Sequence, residues 1–149
     1  MKIAFATDHA AYEMRSDIIK FLQSLGHTVT DYGYGKPDSC DYPDYAYKAC
    51  SAVANDKNAL GVLICGTGIG MSIAANKVFG IRAAVVWSDE TARLASEHNK
   101  ANVLCLGARQ ASVLEICNRI EIWLNTPFEA RHEKRINKIS EIESLQCKR

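Results

Sequence analysis

The sequence predicts a three-layer α/β fold, in which helices flank both faces of a five-stranded parallel sheet. Two observations support it: short apolar segments alternate with segments of helical periodicity from end to end, and several apolar segments lack polar interruptions. Such continuous segments are typical of strands that a parallel sheet buries on both faces. A chain of 149 residues suits one hydrophobic core. We therefore expect one doubly wound domain over residues 1–149.

The first part of the chain supplies two strands and two helices. Lys2–Thr7 is predicted as a strand, and residues 28–32 as a second, partly exposed one. The helix between them ends at Gly26. Its apolar face is marked at three- and four-residue steps by Met14, Ile18, Leu22 and Leu25. A loop rich in glycine, proline and aspartate covers residues 33–44, and a helix over residues 45–54 follows.

The rest of the chain continues the alternation. Strands are predicted at residues 60–65, 81–87 and 103–106, and helices at residues 89–98 and 111–124. The last helix is amphipathic, and its apolar face is formed by Ile136, Ile139, Ile142 and Leu145.

This fold indicates where a ligand binds. In open α/β sheets, the site lies beyond the carboxyl ends of the strands, where the strand order reverses. If the order is 2-1-3-4-5, the site lies between the first and third strands. The first strand ends at Asp8 and His9, and the third at Cys65. We expect these residues to lie side by side.

Composition and charge favour some classes of function over others. The net charge of +1 gives no support for a nucleic-acid partner or a membrane surface bound by bulk charge. Apolar runs are shorter than a membrane span requires, and the first residues do not form a targeting signal. We expect a cytoplasmic protein. Its six scattered cysteines are expected to be reduced thiols, and no group of residues has a metal-binding spacing.

The segment Cys65-Gly66-Thr67-Gly68-Ile69-Gly70 is the most informative motif. Its glycines allow backbone N–H groups to approach a ligand, and a helix follows, so the segment suits a phosphate or an oxyanion. It lacks the Lys-Ser/Thr ending of a P-loop. A thiol at the head of such a loop is placed for reactivity. The alternatives are a tight strand-to-helix turn and an inert buried cysteine.

Other polar residues each have two interpretations. Asp8 can cap the next helix, which leaves His9 unexplained. His98 either complements a helix dipole or acts as a general acid–base residue facing the same crevice. Arg131 and Arg135 either hold a phosphate between them or form a solvated charged face.

Taken together, these motifs resemble the type B ribose-5-phosphate isomerase family over essentially the whole chain. The motif from Cys65 to Lys77 is the most specific. The other matching segments are Asp8-His9, Asp41-Tyr42-Pro43, Gly80–Ala83, Glu97-His98-Asn99, Asn102–Leu104 and the Arg131/Arg135 pair. The superfamily also includes galactose-6-phosphate isomerase subunits.

The resemblance implies a Rossmann-like fold and interconversion of ribose 5-phosphate and ribulose 5-phosphate in the non-oxidative pentose phosphate pathway. It implies a homodimer or dimer of dimers, with active sites at the subunit interface and the C-terminal helix used in dimerisation. It implies no metal and no cofactor.

The resemblance also implies a role for each residue. Cys65 is the proton-transferring base, and His98, assisted by Asp8 and Thr67, opens the furanose ring. The enediolate is stabilised by the backbone of Gly66, Thr67, Gly68, Ile69 and Gly70. Asn99 and Tyr42 contact the sugar. The phosphate is bound by His9, Arg109, Arg131 and Arg135, some of them from the partner subunit.

Three alternatives remain at this point. The first is isomerisation of a hexose phosphate, such as allose or galactose 6-phosphate. The second is a hydrolase with a Cys65–His98 pair, and the third is a flavodoxin-like binding domain without catalysis. The sequence leaves open the choice between dimer and tetramer, and the roles of Cys40, Cys50, Cys105, Cys117 and Cys147.

Overall fold

The computed structural model describes residues 1–146 and places five strands in one parallel sheet. The strands are β1 (Lys2–Thr7), β2 (Thr28–Asp31), β3 (Ala59–Cys65), β4 (Ala83–Val85) and β5 (Val103–Gly107). The helices are α1 (Tyr12–Ser24), α2 (Tyr42–Asn55), α3 (Ile69–Ala75), α4 (Asp89–Glu97), α5 (Val113–Asn125) and α6 (Glu133–Gln146). Short 3-10 turns cover His9–Ala11 and Ala130–His132. The predicted α/β architecture is confirmed.

The strand order is β2-β1-β3-β5-β4, so the order 2-1-3-4-5 is wrong for the last two strands. β4 has three half-buried residues, whereas all five residues of β5 are buried. A strand that is apolar on both faces is favoured inside the sheet, and a short, less buried strand suits its edge. The carboxyl end of β5 therefore lies beside that of β3.

The two faces of the sheet carry different cores. Ile3 and Phe5 of β1 pack with α1, α4 and α5, whereas Ala4 and Ala6 pack with α2 and α3. The second core is rich in alanine and cysteine, and such small side chains allow α2 and α3 to approach the sheet closely. Cys65 belongs to this second core.

Two element boundaries differ from prediction by several residues. α2 begins at Tyr42, three residues early, because Pro43 suits the first turn of a helix. β4 is shorter than the predicted strand over residues 81–87. The N–H of Ile81 is used in a turn to the carbonyl of Val78, so strand pairing begins only at Ala83.

The cysteines of the described region, Cys40, Cys50, Cys65, Cys105 and Cys117, are free thiols, as predicted. Cys147 lies outside the described residues. Within residues 1–146, no helix has both the length and the apolar character that crossing a membrane requires.

Candidate active site

Cys65 ends β3 at the head of the glycine loop, which is residues 65–70. The backbone N–H of Gly68 donates to the Cys65 sulfur at 3.2 Å, and a donor in this position stabilises negative charge on sulfur. Cys65 is 5 % exposed. Cys105 lies in the same core, but it is completely buried, and burial raises its pKa well above the usual value. Of these two thiols, only Cys65 adjoins the loop.

Glycine is favoured at position 68 for two reasons. Its φ is +81°, in the left-handed region that other residues rarely adopt. A Cβ atom here would also lie 3.0 Å from the carbonyl carbon of Leu106. The loop can therefore turn sharply against β5, with the Gly68 N–H directed towards the thiol.

The end of β5 brings Arg109 to the glycine loop. The N–H groups of Ala108 and Arg109 donate to the carbonyls of Cys65 and Gly66 at 2.8 and 3.0 Å. The Arg109 guanidinium lies over Gly66, where a Cβ atom would come within 2.9 Å of Nη1. The observed strand order thus places a cation directly beside the loop.

The end of β1 lies on the other side of β3, as predicted. The N–H of Asp8 donates to the carbonyl of Ile64 at 3.1 Å. The buried Asp8 side chain caps the following 3-10 turn by accepting from the N–H of Ala10 at 2.9 Å. His9 accepts from the N–H of Cys40 through Nδ1 at 3.4 Å, so its Nε2 is left available.

Tyr42, the first residue of α2, packs against the end of the glycine loop. A Cβ atom at Gly70 would lie 2.5 Å from Cζ of the Tyr42 ring. The absence of a side chain at Gly70 therefore makes room for the ring. The residues gathered at this edge of the sheet, which we call the thiol cluster, are Asp8, His9, Tyr42, Cys65, Thr67 and Arg109.

A second group surrounds His98, at the C-terminus of α4. The His98 and His132 rings lie with their centroids 4.3 Å apart. The N–H of Glu129 donates to the carbonyl of Glu97 at 2.9 Å, which fixes the chain before α6 against α4. We call the residues of this group the histidine cluster: His98, Asn99, Glu129, Arg131, His132 and Arg135.

Charged contacts connect the histidine cluster. Arg131 donates to Oε2 of Glu129, and this hydrogen bond lowers the pKa of the Glu129 carboxyl. Nε2 of His132 lies 3.8 Å from the same oxygen, and Nδ1 of His132 lies 3.3 Å from Nη1 of Arg135. Burial, followed by the charge of Arg131, lowers the pKa of His132.

Within one chain, the thiol cluster lies at the carboxyl ends of the strands and the histidine cluster near their amino ends. The β3–β5 register pairs Gly61 with Val103 and Cys65 with Gly107. Cys65 is therefore about 13 Å along the sheet from the level of Val103, at the rise of parallel strands. His98 precedes Val103 and lies near the amino ends of the strands. The expectation that His98 shares a crevice with Cys65 is wrong within one chain, and so is a Cys65–His98 hydrolase pair.

A metal ion is poorly suited to the histidine cluster, although donor atoms of His98, Glu129 and His132 lie within 4.8 Å of one another. The guanidinium of Arg135 can only donate, so Nδ1 of His132 must accept and Nε2 must carry the proton. A protonated Nε2 has no lone pair for a metal. Arg131 also occupies Glu129 and adds positive charge.

Sequence reasoning missed four residues near the two clusters. The Thr7 hydroxyl at the end of β1 is buried with no hydrogen-bond partner among residues 1–146. Cys40 fixes His9 from a distant loop, and Glu129 and His132 meet His98 across more than thirty residues of sequence. Thr7 could have been found from its place beside Asp8, but the other three have no local signal.

Comparison with known proteins identifies close relatives. The model of the family described as Ribose/Galactose Isomerase matches residues 3–139. Ribose-5-phosphate isomerase B of Escherichia coli is 42 % identical over 144 residues, which are 95 % of this chain and 96 % of that protein. The protein of the same name from Mycobacterium leprae is 39 % identical over 146 residues, covering 96 % and 90 %.

Solved structures share the fold along their whole length. Ribose-5-phosphate isomerase B of Clostridium thermocellum has a TM-score of 0.94 and 43 % identity, covering 98 % of this chain and 99 % of that one. The Mycoplasma genitalium enzyme, solved with bound ribulose 5-phosphate, has a TM-score of 0.92 and 39 % identity, with 96 % of both chains covered.

Proposed function

This chain belongs to the ribose/galactose isomerase family, and from that premise we propose that it interconverts D-ribose 5-phosphate and D-ribulose 5-phosphate. The observation that carries the proposal is the Cys65 thiol, which accepts from the Gly68 N–H at the end of β3, between the strands that lead to His9 and Arg109. The Mycoplasma genitalium relative with bound ribulose 5-phosphate supports a pentose over a hexose substrate. The reaction belongs to the non-oxidative pentose phosphate pathway.

The central step is a proton transfer without a metal. Cys65 takes the proton from C2 of the open-chain aldose and returns it to C1, while the hydroxyl proton passes from O2 to O1, so that the carbonyl ends at C2. Negative charge develops on the substrate oxygens in between, and the backbone N–H groups of residues 66–70 are suited to stabilise it. The Gly68 N–H that now faces sulfur supports this role.

Ring opening precedes this transfer because ribose 5-phosphate is mostly a furanose. His98 gives a proton to the ring oxygen as the bond from C1 to that oxygen breaks. Asp8, with Thr67, accepts the proton of the C1 hydroxyl, so that the aldehyde forms without net proton change. One Asp8 oxygen accepts from the Ala10 N–H, and we assign the proton transfer to the other oxygen.

The substrate's phosphate is bound by His9, Arg109, Arg131 and Arg135. Guanidinium groups suit this task because they donate paired hydrogen bonds to phosphate oxygens. Asn99 binds sugar hydroxyls, and Tyr42 packs over the loop at Gly70.

A homodimer or dimer of dimers completes each site. Within one chain, the two clusters lie at opposite ends of the strands. In the dimer, the thiol cluster of one chain and the histidine cluster of its partner together supply the groups of one site. Exposed apolar side chains support burial on association: Ile142 of α6 is 60 % exposed and nearby Phe79 is 58 % exposed. The free thiols fit a reducing, cytoplasmic location.

The first test measures conversion of ribose 5-phosphate to ribulose 5-phosphate, with a chelator present, by wild type and Cys65→Ala. Allose 6-phosphate serves as a second substrate. Cys117→Ala is the matched control, because Cys117 is a buried cysteine in the opposite core. We expect full activity in the chelator, at least a 100-fold loss in Cys65→Ala as for a general base, and little change in Cys117→Ala.

Other outcomes correct specific parts of the proposal. Turnover of the hexose alone would retain the chemistry and change the substrate. Activity of Cys65→Ala equal to wild type would remove Cys65 as the base. Loss of activity in the chelator would contradict a metal-free reaction. Ligand binding without turnover by wild type would favour a non-catalytic domain.

A further inference from the structure

Glu129 and His132 have polar atoms within 4.8 Å of a ring nitrogen of His98, yet the mechanism proposed above uses neither residue. His132 is buried, its ring faces His98 at 4.3 Å, and its Nε2 has no hydrogen-bond partner in the described part of the chain. A buried, unpaired nitrogen is unfavourable unless some state of the protein provides a partner. A carboxylate oxygen, Oε2 of Glu129, lies 3.8 Å from this nitrogen.

The tautomer of His132 follows from its contact with Arg135. Because a guanidinium has no acceptor, Nδ1 of His132 must accept the hydrogen bond from Arg135. The proton of the neutral ring therefore sits on Nε2, which faces Glu129. The Nε2–H of His132 can thus donate to the Glu129 carboxylate, but their distance of 3.8 Å is too long for a hydrogen bond.

Arg131 competes with His132 for that carboxylate. The Nε of Arg131 donates to the same oxygen, Oε2 of Glu129. The side chains of both residues are substantially exposed, and exposed ion pairs of this kind are weak. A phosphate dianion that binds Arg131 can therefore displace Glu129.

We propose that Glu129 is a positioning residue that couples phosphate binding by Arg131 to ring opening by His98. When substrate phosphate binds Arg131, Glu129 moves onto the Nε2–H of His132 and lies beside the His98 ring. Its negative charge there stabilises His98 in the protonated form that gives its proton to the ring oxygen. Without a phosphate, Glu129 remains with Arg131. This proposal rests on the proposed isomerase function.

The first test compares wild type with Glu129→Gln, which keeps the shape of the side chain and removes its charge. The substrate is ribose 5-phosphate with hydrogen or deuterium at C2. Because ring opening does not break the C2–H bond, we expect kcat to fall about tenfold while the isotope effect on kcat becomes, or stays, close to one. Glu133→Gln is the control, since Glu133 is an exposed carboxylate whose partner is Lys100 at 3.6 Å.

A double-mutant cycle separates this coupling from a simpler role. If Glu129 only orients Arg131, Glu129→Gln has no further effect on kcat in an Arg131→Ala background. If it acts on His98, the loss of about tenfold persists in that background, where no arginine competes for the carboxylate. Loss of the effect in the double variant would overturn the proposal.

The remaining outcomes also separate this proposal from the proposed function. An isotope effect that stays above one, or rises, in Glu129→Gln would place the defect at proton abstraction and overturn the coupling. Unchanged kcat would do the same. A wild-type protein that fails to isomerise ribose 5-phosphate would instead remove the isomerase function itself.

Discussion

At the scale of single residues, Gly68 and Gly70 occupy one loop but exclude a side chain for different reasons. Gly68 has a φ of +81°, and its Cβ position is crowded by backbone atoms of Leu106, which move less readily than a side chain. At Gly70, the obstacle is the partly exposed ring of Tyr42, which can rotate away. The two positions therefore affect different properties of the protein.

We expect Gly68→Ala to lower the free energy of unfolding by about 1–3 kcal/mol, because of left-handed strain and backbone contact. Gly70→Ala should cost less than about 1 kcal/mol and should instead raise KM by displacing Tyr42. Urea unfolding followed by circular dichroism, together with steady-state kinetics, checks both. Equal stability of the two variants would contradict the backbone argument.

Cys65 should also be the thiol whose modification inactivates the enzyme. Cys40 is the more exposed cysteine, but burial raises its pKa and so slows its reaction with alkylating agents. We expect loss of activity on iodoacetamide treatment to parallel labelling of Cys65 in peptide mass spectra, and ribose 5-phosphate to slow it. Cys40→Ser should be inactivated at the wild-type rate. Absence of protection by substrate would contradict a site at Cys65.

At the scale of elements, α4 and α5 each begin with a capping box that the sequence contains. α4 begins after Ser88, whose side chain accepts from the N–H of Thr91, while the Thr91 hydroxyl bonds back to Ser88. Such a cap satisfies N–H groups that the first helical turn leaves free. It also fixes the start of the helix that ends at His98.

Removing this cap should destabilise the fold measurably. We expect Ser88→Ala to lower the free energy of unfolding by about 1 kcal/mol, whereas Ser88→Asp keeps an acceptor and should stay within about 0.5 kcal/mol of wild type. Thermal or urea unfolding checks the difference. A stable Ser88→Ala variant would show that packing, rather than the cap, defines the start of α4.

The same elements show what local sequence predicts. The spacing of apolar residues and the continuous apolar segments predict the strands and helices. This works because each element buries residues that are close together in the sequence. The positions of β4 and β5 depend instead on which of the two strands is better suited to the interior of the sheet. A short stretch of sequence does not contain this comparison. The meeting of His98 with His132 likewise depends on where the 3-10 turn before α6 contacts α4.

At the scale of the whole molecule, the thiol and histidine clusters lie too far apart to act together within one chain. A two-fold dimer would bring the thiol cluster of each chain to the histidine cluster of the other, and so would form two equivalent sites. This arrangement makes a prediction that does not depend on the details of the interface.

We expect two inactive variants, Cys65→Ala and His98→Asn, to complement each other. In a mixed dimer, one site carries both substitutions and the other carries neither. Random pairing after joint unfolding and refolding should therefore restore about one quarter of wild-type activity. Each variant refolded alone is the control. Absence of recovery, with mixed dimers demonstrated by native mass spectrometry, would contradict sites shared between chains.

The separation of the two clusters also implies that the activity per chain depends on protein concentration. In the proposed dimer, a single chain has every chemical group that the reaction uses but only half of each site, so the number of working sites follows the number of paired chains. Below the dissociation constant of the dimer, total activity should rise with the square of the protein concentration. With sites shared between chains, synthesis of the enzyme would have a threshold concentration, below which added protein contributes almost no flux.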